Sequence, residues 1–149
     1  MATLAMVGGF GIGCRSLPPL PPADLSGPGW RVQQGQAVWK PTARRPELAG
    51  ELLLATNTNG DCFVQFVKTP FTLATAQRTG ARWHIEFGGG AHSAAGHGRP
   101  PARFVWFQVP GAVQNGGCSG HWRWSRLTTN TWRLKNARTG ESLQGAFFP

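Results

Sequence analysis

The feature that most constrains this chain is the spacing of its apolar residues, which come in short runs separated by turn residues. From Trp30 onward, no helical repeat of apolar positions continues over three turns. Within Arg82–Phe87, aromatic and aliphatic side chains alternate with charged and polar ones, the period-two pattern of a half-buried strand. Asn59-Gly60 supplies the positive φ angles that a tight hairpin needs. These patterns predict a mainly β domain built as an antiparallel curved sheet or incomplete barrel.

We predict about eight strands and one short helical patch. The strands are Trp30–Trp39, Glu51–Ala55, Phe63–Val67, Phe71–Ala76, Arg82–Phe87, His121–Arg126, Thr131–Asn136 and Ser142–Phe148. The segment Gly88–Pro101 contains three consecutive glycines and is predicted to be a mobile loop. The segment Arg103–Val113 is apolar without alternation. Because Pro110 lacks an amide donor, we predict a short helix on either side of it.

The N-terminal residues resemble a lipoprotein signal peptide followed by a lipidated cysteine. Residues 1–13 are apolar or small and carry no charge, and they lead directly to Cys14. Residues 14–29 are rich in proline and are predicted to form an extended tether. Residues 30–149 form the binding domain. This interpretation places the protein in the cell envelope, anchored to a membrane through Cys14 and facing the periplasm. The alternative is a frayed apolar N-terminus with an incidental cysteine.

The other two cysteines, Cys62 and Cys118, allow two interpretations. Outside the cytoplasm they would be free to form a disulfide. Two unpaired thiols in or near the core are the alternative, because the sequence gives no distance between them.

The charge of the chain is strongly positive. Fifteen Lys and Arg against six Asp and Glu give a net charge of +9, which favours anionic partners. On the C-terminal strands, basic residues interleave with tryptophans, as in proteins that hold single-stranded nucleic acid. Strict alternation, however, puts Arg123, Arg133 and Lys135 on the face opposite the tryptophans. A solvated basic face behind an aromatic core explains that pattern better, so nucleic-acid binding is the alternative hypothesis.

Few residues suggest catalysis, and no cofactor is implied. The carboxylates of Glu47, Glu51, Asp61 and Glu141 fall at ordinary surface or turn positions. A set formed by His84, Glu86, His92 and His97 contains groups that zinc or a general base would use, but its spacing matches no ligand pattern. No Gly-x-Ser-x-Gly motif is present. We therefore expect neither a metal site nor an enzyme.

The order of the elements resembles that of the LolA/LolB lipoprotein carriers. The resemblance spans roughly residues 30–148 and includes WRVQQGQAVW at Trp30–Trp39, WHIEF at Trp83–Phe87, the apolar helical patch and the C-terminal hairpins. It implies an incomplete antiparallel barrel under a helical lid, whose cavity holds acyl chains of lipoproteins bound for the outer membrane. The partners it implies are therefore lipids or lipoproteins.

Six aromatic residues are candidates for lining such a cavity, and they are equally suited to forming an ordinary core. They are Trp39, Trp83, Phe87, Phe104, Trp106 and Trp124.

Overall fold

A computed structural model describes residues 17–149, so the predicted signal peptide and Cys14 lie outside the described part. Within residues 17–149 the chain forms nine strands and one helix. Their bounds are β1 Trp30–Lys40, β2 Leu48–Asn57, β3 Cys62–Lys68, β4 Phe71–Thr79, β5 Arg82–Phe87, β6 His92–His97, α1 Val105–Asn115, β7 Trp122–Arg126, β8 Thr131–Asn136 and β9 Ser142–Phe147. Among these elements, no helix is long and apolar enough to cross a membrane.

All nine strands belong to one antiparallel sheet that does not close into a barrel, as the sequence predicts. The strand order is β6-β5-β4-β3-β2-β1-β9-β8-β7, so all consecutive strands pair except β6 and β7, which lie at opposite edges. Strand β1 pairs with β9, and α1 carries the chain from one edge of the sheet to the other. The sheet is strongly curved, because Trp39 of β1 stacks on Phe87 of β5 with ring centroids 6.4 Å apart although three strands separate them.

Helix α1 lies on the concave face and supplies the centre of the core. Its residues Val105, Trp106, Val109 and Ala112 are at most 1% exposed. The sheet contributes the inward-facing residues of the alternating strands, such as Leu54 and Ile85. Burial on this scale stabilises the fold by roughly 1.5–3 kcal/mol for each large apolar side chain.

The long strand β1 pairs with two neighbouring strands. Its whole length up to Trp39 pairs with β2, whereas its pairing with β9 begins only at Gly35. A Cβ at Gly35 would collide with the carbonyl oxygen of Ala146 on β9, so only glycine permits this close approach. Strand β9 ends at Phe147 opposite Gly35, and Phe148 N still donates to the carbonyl oxygen of Gln34 at 2.8 Å, so Trp30–Gln33 extend past β9.

Two regions of the structure differ from the sequence-based prediction. The segment Gly88–Pro101 was expected to be a loop, but it contains the edge strand β6, which is entered through a turn at Gly88–Gly90. Small residues can form this strand because β5 supplies the hydrogen-bonding partner. The two predicted helices are one helix with Pro110 inside it. The proline removes a single backbone hydrogen bond, and the burial of Trp106, Val109 and Ala112 compensates for this loss.

The proline-rich segment lies against the sheet instead of extending freely from it. Gln77, on the outer face of β4, donates a hydrogen bond from Nε2 to the carbonyl oxygen of Pro21 at 2.9 Å. Arg82 donates to the carbonyl oxygen of Pro18, and Asn57 donates to that of Pro28 at 3.1 Å. From Pro18 onward, the segment is therefore not the free spacer that its composition suggests.

Candidate functional site

The six aromatic residues singled out in the sequence all lie on the concave side of the sheet or on α1. Trp83 and Trp106 are buried, whereas Trp39, Phe87, Phe104 and Trp124 are half-buried and pack against the core. The structure divides them into three groups, which differ in how far α1 covers them.

The first group belongs to the first wing of the sheet, defined as β4, β5 and β6. The indole of Trp83 lies 6.2 Å from the ring of Phe104 and 6.0 Å from that of Phe107. Phe87 also contacts Phe104, at 6.2 Å. Because Phe107 lies on α1 and Phe104 directly precedes it, the start of the helix covers this cluster and makes it part of the core.

The second group fills the centre of the concave face. Trp106 of α1 packs between Trp39 and Phe66, with centroid distances of 5.2 and 5.3 Å. Phe66 and Trp106 are at most 1% exposed. The space that would hold acyl chains in a lipoprotein carrier is thus occupied by the protein's own side chains.

The third group, the aromatic ladder, belongs to the second wing, defined as β7, β8 and β9. Trp132 stacks between Trp124 and Phe147, with centroids 5.6 and 5.8 Å apart and interplanar angles of 22° and 30°. Sequence reasoning picked out Trp124 but missed Trp132 and Phe147 as site residues. Strand alternation could have found both, because it places Trp132 and Phe147 on the core-facing side.

An open cleft of about 400 Å³, the ladder cleft, lies beside this stack. It forms where β1 extends past the end of β9, and its walls come from the start of β1, the last turn of α1, the β7–β8 hairpin and the C-terminal residues. The lining residues are Arg31, Gln33, Thr56, Val113, Gln114, Trp124, Arg126, Thr129, Asn130, Thr131, Trp132, Phe147, Phe148 and Pro149. The volume falls in the range of small-molecule sites.

The charge of the ladder cleft is positive. Arg31 and Arg126 line it, and no Asp or Glu side chain does. The alternation of β7 places Arg126 on the same side as Trp124, and its cross-strand partner is Trp132. The sequence analysis placed Arg123, Arg133 and Lys135 opposite the tryptophans, and the same alternation puts Arg126 on the tryptophan face.

The remaining basic residues of these strands do form a separate outer surface. Arg123, Lys135 and Lys40 fall in one row across β7, β8, β9 and β1, with Ser142 between the two lysines. All three face away from the tryptophans. This basic row lies on the outer face, as alternation predicts.

A second large cleft, the polar cleft of about 430 Å³, contains both cysteines of the described domain among its lining residues. Both are free thiols in the structure, Cys62 buried and Cys118 exposed. The thiol of Cys118 donates to the carbonyl oxygen of Trp122 at 3.1 Å. Burial raises the pKa of Cys62 to about 11, against a smaller opposing effect of Arg78. Cys62 is therefore a neutral thiol at neutral pH and a weak nucleophile.

The histidine set does not converge on one point. His84 and Glu86 lie on the outer face of β5, with Nε2 and Oε1 3.6 Å apart. The pairing of β6 with β5 places His97 on that outer face and His92 on the opposite one. Within residues 17–149, no group of three His, Cys, Asp or Glu side chains is arranged to hold a metal ion.

Glu141 is the titratable residue that the sequence analysis misjudged. It was assigned to an ordinary turn position, but it is half-buried and its Oε1 accepts a hydrogen bond from Trp39 Nε1 at 2.9 Å. Burial raises the pKa of its carboxyl group to about 7, although the hydrogen bond from Trp39 acts in the opposite direction. Glu141 lies two residues before the inward-facing Leu143, and strand alternation puts such residues on the same face. The sequence could therefore have indicated its inward position.

Comparisons of the chain with protein-family models, curated proteins and solved structures gave no significant match, so the functional argument rests on its own residues.

Proposed function

We propose that this protein is a non-catalytic cell-envelope lipoprotein that binds lipid or lipoprotein acyl chains, in the manner of LolB. The observation that carries the proposal is the ladder cleft, an open cleft of about 400 Å³ beside three stacked aromatic rings. Six apolar residues line the cleft together with eight polar or charged ones, so it offers an amphiphile both an apolar surface and polar groups. The fold class supports the same proposal, since an unclosed curved sheet under a helix is what the carrier resemblance implies.

The site of acyl binding differs from that of a carrier with an open cavity. Because Trp106 fills the concave centre, an acyl chain would bind beside the C-terminal end of α1 and not beneath the middle of the helix. The cleft also limits the size of the ligand, so that one chain is accommodated more readily than the several chains of a complete lipoprotein anchor.

The lipid anchor itself is proposed from Cys14, which lies outside the described residues. Cys14 precedes Pro18 by four residues, which span at most about 14 Å when fully extended. Since Pro18 and Pro21 are held on the outer face of β4 and β5, a lipid on Cys14 would keep the domain close to the membrane.

Incorporation of radiolabelled palmitate, with Cys14→Ser as control, tests the anchor. Native mass spectrometry after gentle extraction tests the binding function, and we expect a bound amphiphile that a fluorescent fatty acid displaces. A protein that carries no amphiphile and does not bind the fatty acid would contradict the carrier function, even if Cys14 is labelled.

The basic row supports a second candidate function, the binding of nucleic acid or another anionic polymer. Arg123, Lys135 and Lys40 present positive charge on one exposed face. The outward-facing side of this row offers no tryptophan for base stacking, which makes this candidate the weaker one. Binding of an oligonucleotide that weakens steeply as salt is raised would favour it.

A further inference from the structure

The ladder cleft combines aromatic rings with two arginines, and this combination defines a class of ligand. We propose that the cleft binds a single-chain amphiphile with an anionic head group, either a carboxylate or a phosphate. The inference rests on the proposed lipid-binding function and adds the charge of the head group and the residues that recognise it.

The apolar part of the ligand would lie against the ladder. Trp132 is 4% exposed, whereas Trp124 and Phe147 are half-buried and border the cleft together with Val113 of α1. Because the rings already stack on one another, little ring face remains for a nucleobase. A flexible alkyl chain packs against ring edges as well as faces, so the geometry favours an alkyl chain.

The head group would be held by Arg31 and Arg126. Arg31 lies on β1 and Arg126 on β7, so the two guanidinium groups reach the cleft from different walls. Neither makes an ion pair with a carboxylate in residues 17–149. Guanidinium groups donate paired hydrogen bonds to carboxylates and phosphates, so unpaired arginines in a cleft that also contains aromatic rings favour such head groups.

The local fold explains why both side chains line the cleft. Alternate residues of β1 lie on the same face, and Gly35 and Ala37 face inward. Arg31 and Gln33 belong to this set, so they point to the concave side. This part of β1 has no partner in β9, and the opening that results exposes its concave side to ligand. On the opposite wall, the pairing of Arg126 with Trp132 brings charge next to the ladder.

The test measures displacement of the fluorescent fatty acid cis-parinaric acid from the full chain carrying Cys14→Ser. The competitors are palmitate, hexadecyl phosphate and the uncharged methyl palmitate. The test variant is Arg31→Gln with Arg126→Gln. The matched control is Arg123→Gln with Lys135→Gln, which removes the same amount of charge from the outer face of the β7–β8 hairpin. All of these positions are exposed, so both variants should fold.

We expect the test variant to bind palmitate and hexadecyl phosphate at least about tenfold more weakly, since hydrogen bonds to charged groups are lost. Binding of methyl palmitate should be unchanged, and the control should stay within about twofold of the parent for every ligand. Equal loss in both variants would overturn the inference, because it would show a general effect of net charge. Unchanged palmitate binding in the test variant would overturn it as well, while the lipid-binding function would stand. If neither palmitate nor its ester binds the parent protein, the proposed function itself fails.

Discussion

Each wing of the sheet contains a tryptophan that packs over a glycine on the neighbouring strand, but the surroundings of the two pairs differ. In the first wing, Trp83 faces Gly96 across an antiparallel pair, and in the second wing Trp132 faces Gly145 in the same way. In both cases the indole lies over the glycine, where a Cβ would approach the ring to 2.6 and 2.7 Å, respectively. Both indole N–H groups are buried without an acceptor among the described residues. Packing over glycine, and not hydrogen bonding, therefore fixes these tryptophans.

The wings differ in how α1 covers them. The start of the helix brings Phe104 and Phe107 onto Trp83 and closes the first wing. At the other end, Gly116 takes a left-handed conformation with φ of 71° and ends the helix beside Trp124. The second wing therefore has an open cleft where the first has core. The same local pairing thus builds a core or borders a site, depending on where one helix ends.

The largest expected effects come from removing the two paired tryptophans. Trp83→Ala and Trp132→Ala should each lower the free energy of unfolding by about 3–5 kcal/mol, because each leaves a large cavity. Only Trp132→Ala should also weaken binding of cis-parinaric acid. Urea unfolding and fatty-acid titration measure the two effects. A loss of binding in Trp83→Ala at a urea concentration where it is fully folded would contradict the distinction between the wings.

The two paired glycines should differ in their tolerance of alanine. Gly145→Ala is expected to cost about 3 kcal/mol and Gly96→Ala about 1 kcal/mol, the upper and lower parts of the range for overpacking. Gly145 lies on β9, which is paired on both sides, and its Cβ would also approach the carbonyl oxygen of Gln36 at 3.1 Å. Gly96 lies on the edge strand β6, which can shift. Thermal unfolding of both variants gives the comparison, and an equal cost would show that β6 is as constrained as β9.

Replacing one half-buried aromatic residue in each wing should lower the free energy of unfolding by a smaller amount. Phe104→Ala should lower the free energy of unfolding by about 2 kcal/mol, since the ring contacts three aromatic neighbours. Trp124→Ala should cost about 1 kcal/mol, because it stacks on one ring only. Fatty-acid binding should fall about tenfold in Trp124→Ala and stay unchanged in Phe104→Ala. The reverse pattern of binding would move the site to the first wing.

The last comparison concerns Trp39, whose ring stacks on Phe87 of the first wing and whose N–H group bonds to Glu141 next to the second. The pKa of Glu141 is raised to about 7 in the folded protein from an ordinary value of 4.5. The folded state therefore binds more protons than the unfolded state between these values, and stability should fall as pH rises from about 4.5 to about 7.

Glu141→Gln should remove this part of the pH dependence and make the protein more stable than the parent at pH 8, because an amide keeps the acceptor for Trp39 without the buried charge. Melting temperatures of both proteins between pH 4 and pH 8 provide the measurement. A parent and variant with parallel profiles would show that Glu141 ionises normally.

Local patterns predicted much of the sheet. The alternation in Arg82–Phe87 and the Asn59-Gly60 turn predicted strands and a hairpin that the structure contains, with Gly60 at a φ of 93°. Prediction failed where a segment depends on a distant partner. Strand β6 lacks alternation because it is an edge strand that depends on β5, and α1 continues through Pro110 because the sheet buries its apolar side.

For the site, the sequence determined which side chains share a face, and the tertiary structure determined which of them remain accessible. Period-two alternation assigned Trp83 and Trp124 to inward faces, but it treats a core residue and a site residue alike. The start of β1, which extends past the end of β9, and the end of α1 at Gly116 leave the second wing uncovered. Gly116 is a local signal for the end of a helix, but the pairing of β1 with β9 depends on contacts between residues far apart in the chain, such as Gly35 with Ala146, and a short-range pattern carries no information about such contacts.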